Sequence, residues 1–254
     1  MKIFLVDAGN TRIKWAIWNS ADPVGAWAVR GHCPTAASAP LRTAAATAQA
    51  VEGGVSLGVY CSVAGEAARA EVDAALCAAG IGEVRRFRSV RCVGPLRNAY
   101  EVPEQLGSDR LAAALGAWQR VQADAIVVGA GTATTIDLLR RSDDGGAVFE
   151  GGVILPGLDL MLTSLARNTA GLPLASGTFR PIPGNTDDAI VSGCLQAQLG
   201  AVDRMRGLLP AGSRCVLGGG AASRLLPLLG PGVEHAPDLV LEGLAAAILH
   251  GVYR

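Results

Sequence analysis

The sequence predicts an α/β fold built from two similar lobes, and two observations carry that prediction. First, the chain says nearly the same thing twice: residues 3–14 read IFLVDAGNTRIK and residues 125–137 read AIVVGAGTATTID. Aligned on their glycines, Gly9 falls on Gly131, Asp7 on Gly129 and Thr11 on Ala133, an offset of 122 in a 254-residue chain. Each copy is an apolar run of strand length, a turn of small residues and a returning strand. Second, strand-like and helix-like stretches alternate along the rest of the chain, the pattern of sheets covered by helices. A half-length repeat suggests two lobes facing each other across a cleft, one spanning residues 1–115 and the other 116–254.

The elements follow in order. After the first hairpin, residues 26–29 are a candidate third strand, and the small-residue stretch 34–50 reads as a loop leading into a weak helix. A strand is expected at 55–61, a helix at about 66–79 and a short basic strand at 83–88. Residues 108–121 read as a helix bridging to the second lobe: Leu111, Leu115 and Trp118 share a face, and Ser108 is a candidate N-cap. Beyond the second hairpin come a strand at 147–155 and a helix after Pro156 and Gly157. A longer helix is expected from about 185 to 208, with Asp187 and Asp188 in its first turn, where negative charge is favourable. A strand at 214–217 ends in three glycines, and helices close the chain at about 222–229 and 239–252.

Composition narrows the function. Lys plus Arg and Asp plus Glu are equal at 22 each, so no global charge argues for nucleic acid or an anionic membrane surface. Lysine occurs only at Lys2 and Lys14, which draws attention to Lys14 inside the first hairpin. The start of the chain lacks the basic-then-apolar pattern of a secretory signal, and no apolar run reaches the roughly 18–20 residues needed to span a bilayer. A cytoplasmic protein without membrane or nucleic-acid partners is expected. The six cysteines, Cys33, Cys61, Cys77, Cys92, Cys194 and Cys215, lack C-x-x-C spacing and are expected as buried reduced thiols.

Four stretches carry candidate chemistry. Asp7 lies at the end of a buried strand, where a carboxylate is costly unless it meets a cation or several donors. It reads either as a magnesium ligand, with the turn N–H groups, Thr11 and Lys14 meeting phosphate oxygens, or as a residue satisfying a β-turn. Residues 129–135, GAGTATT, form a second small-residue turn followed by hydroxyls. It is neither a Rossmann fingerprint nor a P-loop: the third glycine is missing, a strand follows, and the chain holds no G-K-[ST]. Gly107-Ser108-Asp109-Arg110 opens the helix at 108–121; Asp109 there is either part of a solvated cap or a base, kept ionised by the helix dipole. Gly218-Gly219-Gly220 either lets an adenine lie against backbone or makes a tight strand-to-helix turn. His32, His235 and His250 are isolated and read as structural. Tyr100 sits in a Pro-containing loop seven residues before Gly107.

Taken together these residues resemble the type III pantothenate kinases, a family that includes proteins labelled Bvg accessory factors. The matching stretches are DAGNTRIK at 7–14, GSDR at 107–110, GTATTID at 131–137, GGVILPG at 151–157, NTDDAI at 185–190, LGGGA at 217–221 and PDLVLEGL at 237–244. They come in family order and span almost the whole chain. The resemblance implies two ribonuclease-H-like lobes, as in actin and the sugar kinases. It implies transfer of the ATP γ-phosphoryl group, with Mg2+, to the hydroxyl of pantothenate, the first step of coenzyme A synthesis. By the same resemblance Asp7, Ala8, Gly9, Asn10, Thr11, Arg12, Ile13, Lys14 and Thr132 bind ATP. Asp109 is the base, and Tyr100, Gly107, Ser108, Asp109, Arg110 and Thr186 bind pantothenate. A homodimer is implied, with the substrate pocket near the subunit interface. The chain departs from the family at Gly129, where many members carry an aspartate that resembles a ligand for an activating K+ or NH4+. A kinase for another small hydroxy acid and a nucleotide-binding accessory protein without catalysis stand as alternatives.

Overall fold

The computed structural model describes residues 1–50, 53–169 and 171–252. The chain divides into two compact units, the first comprising Met1–Gln122, Ser142–Phe149 and Asp238–Arg254, the second Ala123–Arg141 and Glu150–Pro237. This differs from a single cut after residue 115: the first unit takes back two later segments.

In the first unit β1 (Lys2–Ala8) and β2 (Arg12–Asn19) form the expected hairpin, followed by β3 (Val29–Pro34), α1 (Ala39–Ala50), β4 (Leu57–Ser62), α2 (Gly65–Ala78) and β5 (Glu83–Arg86). The sheet order is β3-β2-β1-β4-β5. Strand β3 lies beyond the expected residues 26–29 because it is an edge strand with polar side chains, which carries little apolar alternation. Side chains alternate along β1. Phe4, Val6 and Ala8 pack with Ile13, Trp15 and Tyr60 into a core under α1 and α2, lined by Leu41, Val72 and Leu76. Asp7, Lys14 and Cys61 therefore fall on the opposite face of the sheet.

That opposite face is covered by α3 (Ser108–Val121) and α7 (Leu239–Leu249), both in contact with β4. The two helices cross on Gly116 and Gly243. A Cβ on Gly116 would lie 2.5 Å from the Leu239 carbonyl, and one on Gly243 would overlap the Ala112 carbonyl. Glu242 of α7, almost fully buried, accepts from Arg120 Nε (2.5 Å) and Nη2 (2.6 Å) on α3. This packing is why the C-terminal helix belongs to the first unit, and why α3, expected to bridge the lobes, lies wholly inside one. The unit is completed by β6 (Cys92–Val93), β7 (Leu96–Asn98) and the start of β10 (Ala147–Pro156), parallel to β7. Strands β6 and β7 are too short for a period-two signal and are absent from the sequence-based assignment.

The second unit repeats the hairpin as β8 (Ala125–Ala130) and β9 (Ala133–Arg141), with the rest of β10, β11 (Arg214–Gly218) and the short β12 (Val233–His235) in the order β12-β11-β8-β9-β10. Helices α4 (Leu158–Asn168), α5 (Thr186–Arg206) and α6 (Ala222–Leu225) pack with it around Ile126, Val128, Ile136, Leu162, Leu195 and Leu217. Helix α5 starts where expected: the Asn185 side chain accepts from the Asp188 N–H (2.9 Å) as N-cap. All six cysteines are free thiols; Cys77 and Cys92 are exposed, contrary to the expectation of burial. Among the described residues no helix is long and apolar enough to cross a membrane.

Candidate active site

The first hairpin places Asp7 opposite Lys14 on β2 and beside Cys61 on β4. Its turn is closed by the Gly9 N–H donating to the Arg12 carbonyl (3.0 Å). It is held from β3's end by Thr35, whose Oγ1 donates to the Gly9 carbonyl (2.7 Å) and whose N–H donates to the Thr11 carbonyl (3.0 Å). Asn10, Thr11 and Arg12 are exposed at the tip, whereas Ala8 and Ile13 are fully buried. Those two can offer a ligand only their backbone.

Asp7 is half-buried, and its pKa is pushed up to about 6. Desolvation is the main cause, the nearby charge of Asp109 adds to it, and Lys14 and the Cys61 thiol, which donates to Asp7 Oδ1 at 3.8 Å, pull the other way. Between the same two carboxylates, burial and their charge push the Cys61 thiol well above its ordinary value. It stays a protonated donor.

Asp109 comes from the first turn of α3. The expectation that Ser108 caps this helix is not met: Gly107 is the N-cap residue and no side chain caps it, while Ser108 is buried. Asp109 Oδ1 instead accepts from the Arg110 N–H (2.8 Å). The sequence also suggests a carboxylate kept strongly ionised by the helix dipole, and here the balance runs the other way. Burial raises the Asp109 pKa against the backbone N–H groups of Arg110 and Asp109 and the Arg110 guanidinium, because desolvation outweighs two hydrogen bonds and one neighbouring cation. A Cβ on Gly107 would stand 2.6 Å from Asp109 Oδ1. Glycine at this position is what leaves the carboxylate its place.

Arg110 is nearly fully buried, with its guanidinium carbon 5.8 Å from the Tyr100 ring centre and 5.6 Å from that of Phe149. The two rings meet edge to face at 5.8 Å, and Arg110 Nη1 donates to Tyr100 Oη (3.0 Å). The first unit thus brings together Asp7, Lys14, Asp109, Arg110 and Tyr100. Cys61, Phe149 and Thr35 join them unforeseen; Cys61 was readable as the strand neighbour of Asp7, but Phe149 carries no local signal.

Thr132 and Thr186 belong to the second unit. Thr132 is exposed at the β8–β9 turn, where the Gly131 N–H donates to the Ala133 carbonyl (3.1 Å) and the Thr132 carbonyl accepts from the Gly157 N–H (2.9 Å). Gly129 faces Thr135, in the place that Asp7 and Lys14 hold in the first hairpin. Thr186, the first residue of α5, lines a largely apolar groove of about 880 Å³ with Pro156, Leu160, Met161, Ile190 and Cys194.

Two α/β units, each opening on a glycine turn between antiparallel strands, define a protein of the actin and sugar-kinase fold, with two ribonuclease-H-like lobes. Solved structures agree on the fold. A conserved Baf family protein of Campylobacter jejuni superposes with a TM-score of 0.65 at 17% identity, covering 99% of this chain and 100% of that one. The activator of 2-hydroxyisocaproyl-CoA dehydratase from Clostridium difficile, with bound ADPNP, gives 0.53 at 11% identity, covering 98% and 94%. The particular family comes from sequence: the type III pantothenate kinase model matches residues 3–207. The type III pantothenate kinase of Aromatoleum aromaticum is 44% identical over 253 residues, covering 96% of both chains. That of Herminiimonas arsenicoxydans is 42% identical over 261 residues, covering 98% of both. The chain belongs to the type III pantothenate kinase family.

Proposed function

We propose that the chain transfers the γ-phosphoryl group of ATP to the hydroxyl of pantothenate, giving 4'-phosphopantothenate in the first step of coenzyme A biosynthesis, with Asp7 at the metal and Asp109 as base. The observation that carries the assignment of roles is the pair of interacting carboxylates, Asp7 on β1 beside Lys14 and Asp109 on α3, the helix covering that face of the sheet, beside Arg110.

Mg2+ is usually held by one or two carboxylates together with substrate phosphates rather than by an all-protein cage. The donor set agrees: among the described residues no group of three or more His, Cys, Asp or Glu side chains could hold a metal, while Asp7 is a half-buried carboxylate destabilised as an anion until a cation joins it. A bound Mg2+ neutralises charge developing on the transferred phosphoryl group. Lys14 and the N–H groups at the tip of the first turn, apart from that of Gly9, which the Arg12 carbonyl takes, would then meet phosphate oxygens, and Thr132 is assigned to ATP as well.

Asp109 accepts the proton of the pantothenate hydroxyl as the oxygen attacks phosphorus. Its raised pKa brings it nearer the working pH, which strengthens it as a base, and a loose phosphoryl-transfer transition state asks of it mainly positioning. Tyr100, Gly107, Ser108, Arg110 and Thr186 bind the acceptor. At Gly129 the chain supplies no carboxylate, so any K+ or NH4+ there must rely on carbonyl and hydroxyl oxygens. A homodimer in the cytoplasm completes the reading: Ile154, Leu160, Leu174 and Ile182 are exposed on the second unit, Leu160 in the groove that Thr186 lines, and a second copy would cover them. Sedimentation at twice the 25.9 kDa chain mass tests this.

The deciding experiment for the reaction is an acceptor screen with purified protein, ATP and Mg2+, comparing pantothenate with other small hydroxy acids. Phosphorylation of pantothenate at least tenfold above every other acceptor is expected. Preference for a different acid would replace the substrate, and no transfer to any of them would remove the catalytic role.

A further inference from the structure

Beside the residues of the proposed active site lies a tie that no motif names. Asn98, at the end of β7, is fully buried. Its Nδ2 donates to the carbonyls of Pro103 (3.2 Å) and Val90 (3.4 Å), its Oδ1 accepts from the Tyr100 N–H (3.1 Å), and its own N–H donates to the Arg91 carbonyl (2.8 Å). From the solvent side the Arg91 guanidinium gathers the same segment. Nη1 donates to the carbonyls of Asn98 (3.0 Å) and Tyr100 (2.7 Å), and Nη2 to that of Glu101 (3.0 Å). One exposed side chain thus satisfies three carbonyls of a four-residue stretch that has no helix or strand beyond Asn98.

A guanidinium serving three backbone carbonyls and no carboxylate is an unusual use of arginine, whose planar fork fixes the direction of every acceptor it meets. What it fixes here is the backbone of Tyr100. The Tyr100 ring and hydroxyl in turn hold the Arg110 guanidinium, one residue from Asp109. We propose that Arg91 is a positioning residue for the acceptor half of the reaction, acting through Tyr100 on Arg110, with Asn98 as its buried counterpart. This rests on the reading of Tyr100 and Arg110 as acceptor-binding residues.

The test is steady-state kinetics on Arg91→Ala and Arg91→Lys, with Arg97→Ala as a neighbouring exposed-arginine control. Because misplacing a binding group by about 1 Å costs up to a hundredfold, Arg91→Ala is expected to raise the acceptor KM roughly 10- to 100-fold. The ATP KM should stay within about twofold. Arg91→Lys, which keeps the charge and some donors, is expected to recover part of the loss, and Arg97→Ala none of it to lose. If Arg91→Ala does not fold, the Lys variant alone must show the same split at smaller size. An unchanged acceptor KM, or equal rises in both KM values, would overturn the role of Arg91. Kinetics are measured with whichever acceptor the wild type prefers, so an enzyme that rejects pantothenate defeats the substrate assignment, not the tie.

Discussion

Gly107→Ala isolates the base from the fold. The backbone at Gly107 has φ −55° and ψ 130°, open to any residue, so the substitution strains nothing locally. Its Cβ, however, would lie 2.6 Å from Asp109 Oδ1, where ordinary contact begins at 3.4 Å, so the carboxylate has to retreat by about 0.8 Å. The oxygen sits at the end of a rotatable side chain, and reduced chain entropy in the unfolded state offsets part of the cost. Stability should change by less than about 1 kcal/mol. A base displaced by nearly an ångström loses its line to the substrate hydroxyl, worth roughly 10- to 100-fold in rate. The expected outcome is a kcat lower by that factor, a melting temperature within a few degrees of wild type, and an ATP KM that holds. Gly243→Ala is the contrasting control: its Cβ would meet the Ala112 backbone, which cannot rotate away, and overpacking there costs about 3 kcal/mol or more. Wild-type kcat in a folded Gly107→Ala protein would refute the placement of Asp109 as the base.

Asp109→Asn is expected to lower kcat by about a hundredfold to ten-thousandfold with little change in ATP binding; retention of half the wild-type kcat would remove Asp109 from the mechanism. Asp7→Asn should raise the Mg2+ requirement in kinetics, and without metal it should also change stability in a pH-dependent way. The folded pKa of Asp7 lies near 6, above its unfolded value of 3.8, so its contribution is present below pH 3.8 and lost as pH rises through 6. At pH 8 the variant should therefore be the more stable protein, by at most about 3 kcal/mol and less for a half-exposed group, with the gap closing between pH 6 and 4; a gap independent of pH would contradict the desolvated carboxylate. Potassium, titrated at constant ionic strength against sodium, should activate the wild type weakly. Gly129→Asp should tighten activation about tenfold once the Thr135 hydroxyl, 2.8 Å from the new Cβ, rotates away; tight activation unchanged by the substitution would point to another ligand.

What the sequence made legible was local. The two hairpins, α3, α5 and the strand ending in three glycines were readable because each carries its own periodicity or turn chemistry. Even so, the glycine alignment of the repeat holds only up to the turn. The first hairpin pairs Asp7 with Lys14 and the second pairs Gly129 with Thr135, so the second turn is one residue shorter and Arg12, not Thr11, corresponds to Ala133 on the returning strand. What stayed illegible depends on residues far apart in the chain. The Tyr100–Arg110–Phe149 stack needs β10 beside β7. The direction of the Asp109 shift needs its burial. The membership of α7 needs two glycines 127 positions apart to meet.

The motif glycines show why a sequence pattern identifies a position before it identifies a cause. Gly157 belongs to the GGVILPG stretch, and its missing Cβ lets its N–H reach the Thr132 carbonyl and brace the second turn from behind. Gly219, in the left-handed region at φ 99°, turns the chain after β11 against the backbone of Ala130. Both support backbone, Gly219 in the strand-to-helix turn. Gly107 differs: its neighbour is the charged oxygen of the base. Substitution at Gly157 or Gly219 should therefore appear as lost stability, and substitution at Gly107 as lost turnover in a folded enzyme. Three glycines that look alike in the sequence thus separate by what occupies the space their side chains leave, and only the third ties the motif to chemistry.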